Sequence, residues 1–281
     1  MMKKDVFILA PTENFAVGND DLSYYRDQPH KVTNGVLMFC HEGEADITID
    51  LTHYHICKNT SIILIPNSIL HVEKASGNLD LHYFCCSQEM FQSASFRLPP
   101  AFIHFLKENS CHTHTDIKTY SSIAGLTTAS LAIYHDKENC FRDTIAQNLL
   151  QIFFFDTYDK VQRLFTPEQI EGSDRKDKLF KKFMHLIHTY CCTHHEVSFY
   201  AQQLCISTRY LSTITQLIGG KAAKTLIDQY LLLELKVALQ TTDLSLKEIA
   251  DKYGFPDQSF FGRYFKKHTG MSPKEFRSQH A

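Results

Sequence analysis

The sequence predicts an α+β protein of two domains, and three observations support this prediction. Short segments of alternating apolar and polar residues, separated by turn residues, occur between residues 30 and 90 and are typical of antiparallel strands. From Pro99 onward the apolar residues follow helical spacing. In the C-terminal part a helical pattern repeats at an offset of 50 residues. The length of 281 residues also fits two domains, since a domain usually has about 100–200 residues.

The net charge of −2 results from two halves of opposite sign. Residues 1–174 carry 13 Lys and Arg against 22 Asp and Glu, a net charge of −9, whereas residues 175–281 carry 16 against 9, a net charge of +7. This asymmetry predicts two domains with different partners, the basic one a candidate for binding nucleic acid or an acidic surface. The 43% hydrophobic and 21% charged residues disfavour a disordered, collagen-like or membrane protein.

The sequence predicts a cytoplasmic protein without membrane attachment. The apolar run Val6–Ala10 is shorter than the roughly 7–15 residues of a secretory signal core and is predicted to be a first strand. No window reaches the about 18 apolar residues of a transmembrane helix. The nine cysteines include no C-x-x-C spacing, which favours reduced cysteines packed as small core side chains over a zinc or redox site.

The N-terminal half is predicted to form an antiparallel sandwich or barrel. The segments with strand character are 35–40, 45–51, 61–65 and 79–84. The order of Gly43, Tyr54, Pro66 and His71 around these strands resembles that of a small cupin barrel. The resemblance implies a small-molecule pocket in the barrel interior, lined by the strands within residues 35–84.

The histidines of this half raise the question of a metal site. His53 and His55 form an H-x-H pair, which on a strand would place both imidazoles on one face. Cupins that bind a metal follow this pair with a Glu three or four residues later, where this sequence has Lys58 and Asn59. The pair is also predicted to lie at a turn. Because a metal ion needs several convergent ligands, the sequence predicts no metal site and no cofactor.

Helices are predicted to follow the strands at residues 101–106, 122–134 and 141–165. The last of these has an apolar face that includes Ile145 and Leu149. It either packs inside its own domain or forms a dimer seam, and the sequence leaves both interpretations open. Gly172-Ser173-Asp174 is predicted to be a linker, so the expected domains are residues 1–171 and 172–281.

The C-terminal repeat predicts two units of helix, tight turn and helix. At the offset of 50 residues Leu211 aligns with Phe261. In the second copy Ser245 and Glu248 form a capping-box pattern, and Gly254 supplies the turn because glycine adopts positive φ without steric penalty. The predicted inward-facing residues are Tyr210, Leu211, Ile214, Leu217 and Ile218 in the first copy and Phe260, Phe261, Tyr264 and Phe265 in the second.

Residues from about 180 to 278 resemble the DNA-binding domain of the AraC/XylS family of transcription regulators. The second copy carries most of the resemblance, in Ile249-Ala250, Tyr253-Gly254-Phe255, Phe260-Phe261, Arg263, Phe265-Lys266-Lys267, Gly270, Ser272-Pro273 and Phe276-Arg277. The first copy matches in Ala201, Leu204, Ser207, Tyr210-Leu211-Ser212 and Gly220. One departure is Leu232, where the family's linker helix usually carries an Arg.

The resemblance implies two helix-turn-helix units, at about 196–218 and 245–268, joined by a linker helix at about 225–240. Each unit would place its second helix in the major groove, on one face of the duplex and about one turn, roughly 34 Å, apart. The implied base-reading residues are Thr208, Arg209, Ser212 and Thr213 in the first unit and Gln258, Ser259, Gly262 and Arg263 in the second. Lys266 and Lys267 are expected to contact the DNA backbone.

The expected function is sequence-specific binding of double-stranded DNA by a transcription regulator without enzyme activity, acting as an activator with RNA polymerase as a partner. The N-terminal half is expected to bind a small-molecule effector, to form a homodimer, or both. The alternative is a cupin-type metal-binding enzyme with an appended helical domain, which requires metal ligands with an open coordination position. The sequence contains no G-x-S-x-G, H-E-x-x-H or Gly-rich phosphate loop.

Overall fold

A computed structural model of the chain describes residues 5–26, 28–115, 117–166 and 175–279. The chain divides into two compact units, residues 1–166 and 167–281. The predicted linker at residues 172–174 lies outside the described residues. Among the described helices none is long and apolar enough to cross a membrane.

Antiparallel strands form most of the N-terminal unit. They are β1 (Phe15–Asp20), β2 (His30–Val32), β3 (Gly35–Glu42), β4 (Glu44–Ile49), β5 (Thr52–Cys57), β6 (Thr60–Leu64), β7 (Ser68–Ala75), β8 (Asp80–Cys86) and β9 (Cys111–Thr113). The described strands form a five-stranded sheet of order β1-β8-β3-β6-β9 and a four-stranded sheet of order β2-β7-β4-β5. This arrangement of two sheets confirms the predicted cupin-like antiparallel fold of the N-terminal half.

An apolar core fills the space between these two sheets. Val36, Met38 and Cys40 alternate along β3 and pack against Ile47 and Ile49 of β4, all of them almost inaccessible to solvent. Each buried side chain of this size contributes about 1.5–3 kcal/mol to stability through the hydrophobic effect. Core side chains therefore occupy the space between the two sheets.

Two predictions for the N-terminal unit are wrong. Residues Val6–Ala10 form no strand, although Phe7 packs into the core and stacks on Tyr25 with ring centroids 5.2 Å apart. The pair His53 and His55 lies within β5 and not at a turn. The turn precedes both histidines, because Asp50, directly after β4, adopts the left-handed conformation with a φ of 55°.

Helices cover the outer face of the five-stranded sheet. They are α1 (Gln88–Ser95), α2 (Pro100–Glu108), α3 (Ile117–His135) and α4 (Arg142–Leu164). The predicted helical segments correspond to α2, α3 and α4, and the last of them is one residue longer than α4 at each end. Helix α3 packs on β1 and β8, and α4 packs on α1 and α3.

The C-terminal unit is helical in all its described elements. They are α5 (Arg175–Tyr190), α6 (Val197–Gln203), α7 (Thr208–Gly219), α8 (Ala223–Thr241), α9 (Leu246–Lys252), α10 (Gln258–Thr269) and α11 (Pro273–Gln279). Two apolar clusters hold it together, one around α5, α6 and α7 and the other around α9, α10 and α11. The long helix α8 contributes side chains to both.

Candidate nucleic-acid interface

The first helix-turn-helix unit consists of α6 and α7. Ala201 of α6 is buried and leaves room for the crossing of the two helices. Cys205 makes the turn with a φ of 53°, and Ser207 caps α7 by accepting a hydrogen bond of 3.2 Å from the backbone N–H of Tyr210. Leu211 and Ile214 are fully buried on the inner side of α7. Helix α7 therefore presents its other side to solvent.

The four residues predicted to read bases from the first unit all lie on this exposed side: Thr208, Arg209, Ser212 and Thr213. The hydroxyls of Ser212 and Thr213 donate to the carbonyl oxygens of Thr208 and Arg209, at 2.9 and 3.0 Å. Each hydroxyl oxygen keeps lone pairs that accept hydrogen bonds from base amino groups. Arg209 adds the one formal positive charge among the four.

The second unit consists of α9 and α10 and has stronger capping interactions. The Ser245 hydroxyl accepts from the Glu248 N–H at 3.2 Å, and the Glu248 carboxylate accepts from the Ser245 N–H at 2.7 Å. These hydrogen bonds lower the pKa of Glu248. Gly254 makes the turn with a φ of 67°, and Asp257 caps α10 by accepting from the Phe260 N–H at 2.7 Å. The sequence prediction of a capping box at Ser245 is confirmed.

The residues of α10 predicted to read bases are also accessible. Gln258, Ser259 and Arg263 are exposed, and a side chain at Gly262 would meet open space. Because Gly262 has no side chain, α10 allows a close approach of another molecule at this point. Lys266 and Lys267 are exposed in the last turn of the same helix. Helices α7 and α10 are called the recognition helices below.

Helix α8 joins the two units through its core side chains. Its first half contributes Leu226, Ile227 and Tyr230 to the apolar cluster of the first unit. Its second half contributes Leu231 and Leu235 to the cluster of the second unit. The apolar stretch 230–233 thus lies where the helix passes from one cluster to the other.

Polar contacts add to this connection. Tyr264 of α10 donates to Asp228 of α8 at 2.9 Å, and Lys224 lies 3.0 Å from the same carboxylate oxygen. Lys224 also donates to the backbone carbonyl of His195, just before α6, at 2.9 Å. Burial, followed by the charge of Lys224, lowers the pKa of His195. The contacts therefore link the second recognition helix to the start of the first unit.

The comparisons with known proteins concern this same region. A family model described as a helix-turn-helix domain matches residues 200–279. The HTH-type transcriptional regulator YijO of Escherichia coli K12, itself uncharacterized, is 32% identical over 112 residues, 40% of this chain and 40% of its own length. The arabinose operon regulatory protein of Salmonella typhimurium is 33% identical over 86 residues, 31% of each chain. Residues 200–279 form a helix-turn-helix domain.

These matches concern only the C-terminal part of the chain. The chain spans less than half the length of both curated relatives. The solved structure of ToxT from Vibrio cholerae overlays on 96% of this chain and 100% of its own, at 15% identity and a TM-score of 0.49.

Three apolar side chains of the recognition helices are exposed, contrary to the inward position predicted for them. They are Leu217, Ile218 and Phe260, with 64%, 37% and 45% of their surface accessible. Adjacent residues on a helix are about 100° apart, so Phe260 cannot share the inward direction of the fully buried Phe261. Phe260 packs instead beside Arg263, whose guanidinium carbon lies 5.8 Å from its ring centroid.

The two histidines of the H-x-H pair contact carboxylates. His53 lies 2.9 Å from Glu73, and His55 lies 2.8 Å from Asp46, all at exposed or half-exposed positions. Among the residues that the structure describes, no group of three or more His, Cys, Asp or Glu side chains is placed to hold a metal ion.

Proposed function

We propose that this protein is a sequence-specific DNA-binding transcription regulator. The observation that carries the proposal is the pair of helix-turn-helix units held on one helix, α8, with both recognition helices presenting polar side chains to solvent. The region that contains them has a net charge of +7, which favours contact with phosphates. Its similarity to named regulators supports the same function.

The two recognition helices would enter successive major-groove segments on one face of the duplex. Arg263 would bind guanine O6 and N7 through two hydrogen bonds, and Gln258 would bind adenine N6 and N7. Hydroxyl groups of Thr208, Ser212, Thr213 and Ser259 would contact base edges, and Arg209 would add a second guanine contact. Lys266 and Lys267 would bind phosphates and set the position of the domain without reading sequence.

The regulatory part of the proposal concerns the N-terminal unit and further partners. The protein would act as an activator in the cytoplasm, through contact with RNA polymerase at a promoter. The N-terminal unit would bind a small-molecule effector, form a homodimer, or both. An effector would act by changing the populations of two arrangements of the protein that differ in their affinity for DNA.

The test is selection of DNA by the purified full-length protein from fragmented genomic DNA, followed by sequencing. We expect enrichment of a motif with two half-sites about one helical turn apart. The control is the double variant Arg209→Ala/Arg263→Ala, which changes one predicted base contact in each recognition helix and should enrich a more degenerate motif. Recovery of fragments without a common motif would contradict sequence-specific binding.

A further inference from the structure

A cavity of about 60 Å³ lies in the N-terminal unit, outside the core between the sheets. Its floor is the outer face of the five-stranded sheet, and its roof is formed by α3 and α4. Leu37 and Phe84 line it from the sheet, and Leu126, Leu149 and Phe153 line it from the helices. A single water needs roughly 10–15 Å³ of such space, so the cavity is large enough for a small organic molecule.

The strand register divides the floor into an apolar and a polar row. Leu37 and Val17 each lie opposite Phe84, which makes one row apolar. In the next row Phe39 of β3 lies opposite His82 of the neighbouring strand β8 and opposite Ser61 of the neighbouring strand β6. Because side chains alternate between the two faces of a sheet, these rows face the same side. A molecule in the cavity therefore meets hydrocarbon in one row and polar groups in the next.

The polar groups differ in their capacity to bind a ligand. The Ser61 hydroxyl is already hydrogen-bonded to His114 Nε2 at 2.8 Å. The Nδ1 atom of His82 is buried and has no hydrogen-bond partner among the described atoms. Leaving such a group without a partner is unfavourable, so a ligand that hydrogen-bonds to it gains affinity. Among the lining residues that the structure describes there is no Lys, Arg, Asp or Glu, which leaves a charged ligand without a carboxylate, ammonium or guanidinium partner.

We propose that this cavity binds a small, uncharged and mainly apolar molecule whose single hydrogen-bonding group contacts His82. Such a ligand would pack between the sheet and the helices α3 and α4, where it stabilises their association. As a proposal for an effector site, it rests on the proposed function, in which the N-terminal unit binds an effector. It adds the place in the fold where the effector binds and the chemical class of the effector. The binding step itself requires no DNA and is measured separately.

The direct test uses phenol as the probe and the full-length chain labelled at the δ1-methyl groups of isoleucine. Phenol is expected to shift the NMR signal of Ile123, which lines the cavity, in a saturable way. The signals of Ile187 and Ile214, buried in the C-terminal unit, are expected to stay unchanged. Benzoate, a charged molecule of similar size, is expected to produce no shift. Absence of a saturable shift at Ile123 with phenol would overturn the proposal.

Two matched pairs of variants locate the ligand. Leu149→Phe fills the cavity and is expected to weaken phenol binding about tenfold or more, whereas Ile152→Phe, at an exposed position of the same helix, leaves it unchanged. His82→Phe is expected to weaken the binding of phenol but not of benzene, whereas His53→Phe, on an exposed strand position, changes neither. Equal phenol affinity in Leu149→Phe and wild type would place the binding elsewhere and overturn the proposal.

The outcome is decided even if a cavity variant fails to fold, because the Ile123 signal is measured in the wild-type chain. DNA binding of the same wild-type sample separates this inference from the proposed function. Specific DNA binding without a phenol response would overturn the cavity proposal alone. A saturable phenol response without specific DNA binding would support the cavity and contradict the regulator.

Discussion

The hydroxyl of Tyr264 donates a hydrogen bond of 2.9 Å to the carboxylate of Asp228, and this contact joins the second recognition helix to α8. Lys224 extends the connection from the same carboxylate to the backbone of His195. A DNA-binding domain that uses two recognition helices at once needs a fixed distance between them. Once one helix is bound, this distance holds the other helix beside its own half-site at a high effective concentration. We interpret the Tyr264–Asp228 contact as part of what fixes that distance.

Substitution Tyr264→Phe removes this hydrogen bond and keeps the ring. We expect a loss of about 1.5–3 kcal/mol in the free energy of unfolding, since the bond is made to a charged acceptor. Affinity for DNA with two half-sites should fall several-fold, while affinity for a single half-site stays close to wild type. Urea unfolding and titrations with both DNAs measure this. Tyr210→Phe, at the start of α7, is the control, and equal losses on both DNAs would contradict the interpretation.

Arg263→Ala tests direct reading of a base. We expect a loss of about 1–3 kcal/mol in binding free energy on the preferred site and a relaxed preference at one base pair, because the bidentate contact to guanine is removed. Binding to the selected motif and to its single-base variants measures the effect. Lys252→Ala, which removes an exposed charge on α9, is the control for a general loss of positive charge. An equal loss on every DNA sequence would assign Arg263 to phosphate contact.

Lys266→Ala tests a backbone contact. Affinity should fall to a similar degree on all sequences, and the slope of log K against log salt concentration should become smaller in magnitude by about one. The reason is that each phosphate contact releases condensed counterions when it forms. Titrations at several salt concentrations, with specific and non-specific DNA, provide the measurement. An unchanged slope would remove Lys266 from the set of phosphate contacts.

The second helix-turn-helix unit could be predicted from sequence in detail because its local signals agree with its tertiary packing. Ser245 and Glu248 form the capping box, and Gly254 adopts the left-handed turn. Phe260 was harder to place, since two adjacent phenylalanines both fit an apolar helix pattern. Only the direction of the helix relative to its core decides that Phe261 is buried and Phe260 exposed.

The N-terminal unit was predictable as a fold class and less so in its details. The turn at Asp50 has no Gly, Pro or Asn, so the sequence does not mark the end of β4 and the start of β5 there. The position of the cavity depends on how closely α3 and α4 approach the sheet. That distance is set by packing between segments far apart in sequence, which local periodicity does not reveal.

A pair of glycines, Gly220 after α7 and Gly254 before α10, offers a matched test of backbone strain in the C-terminal unit. Gly254 has a φ of 67°, and a Cβ there would lie 3.2 Å from the carbonyl oxygen of Thr193. Gly220 has a φ of 62° but open space around it. Substitution Gly220→Ala should therefore cost about 1 kcal/mol through backbone conformation alone, and Gly254→Ala should cost more. Thermal unfolding measures the loss of stability in both variants. Equal losses would contradict a steric cost from the contact with Thr193.

The buried thiol of Cys40 predicts a loss of stability at alkaline pH. Burial, followed by the nearby Cys57 and Asp80, raises the pKa of Cys40 to about 11, whereas a thiol in the unfolded chain has a pKa of about 8.5. At pH values between these two pKa values, the unfolded chain releases the thiol proton of Cys40 and the folded chain retains it. The free energy of unfolding is therefore unaffected below pH about 8.5 and falls as the pH rises above it, by on the order of 1–2 kcal/mol at pH about 10.

The measurement is urea unfolding of the wild type and of Cys40→Ala at pH about 7 and about 10. The variant lacks the thiol, so it should be less stable than wild type at neutral pH, and the difference should shrink at alkaline pH. Val36→Ala, which removes buried volume from the same strand without changing a titrating group, should show the same deficit at both values. A deficit of Cys40→Ala that stays constant between the two pH values would contradict a raised pKa in the folded state.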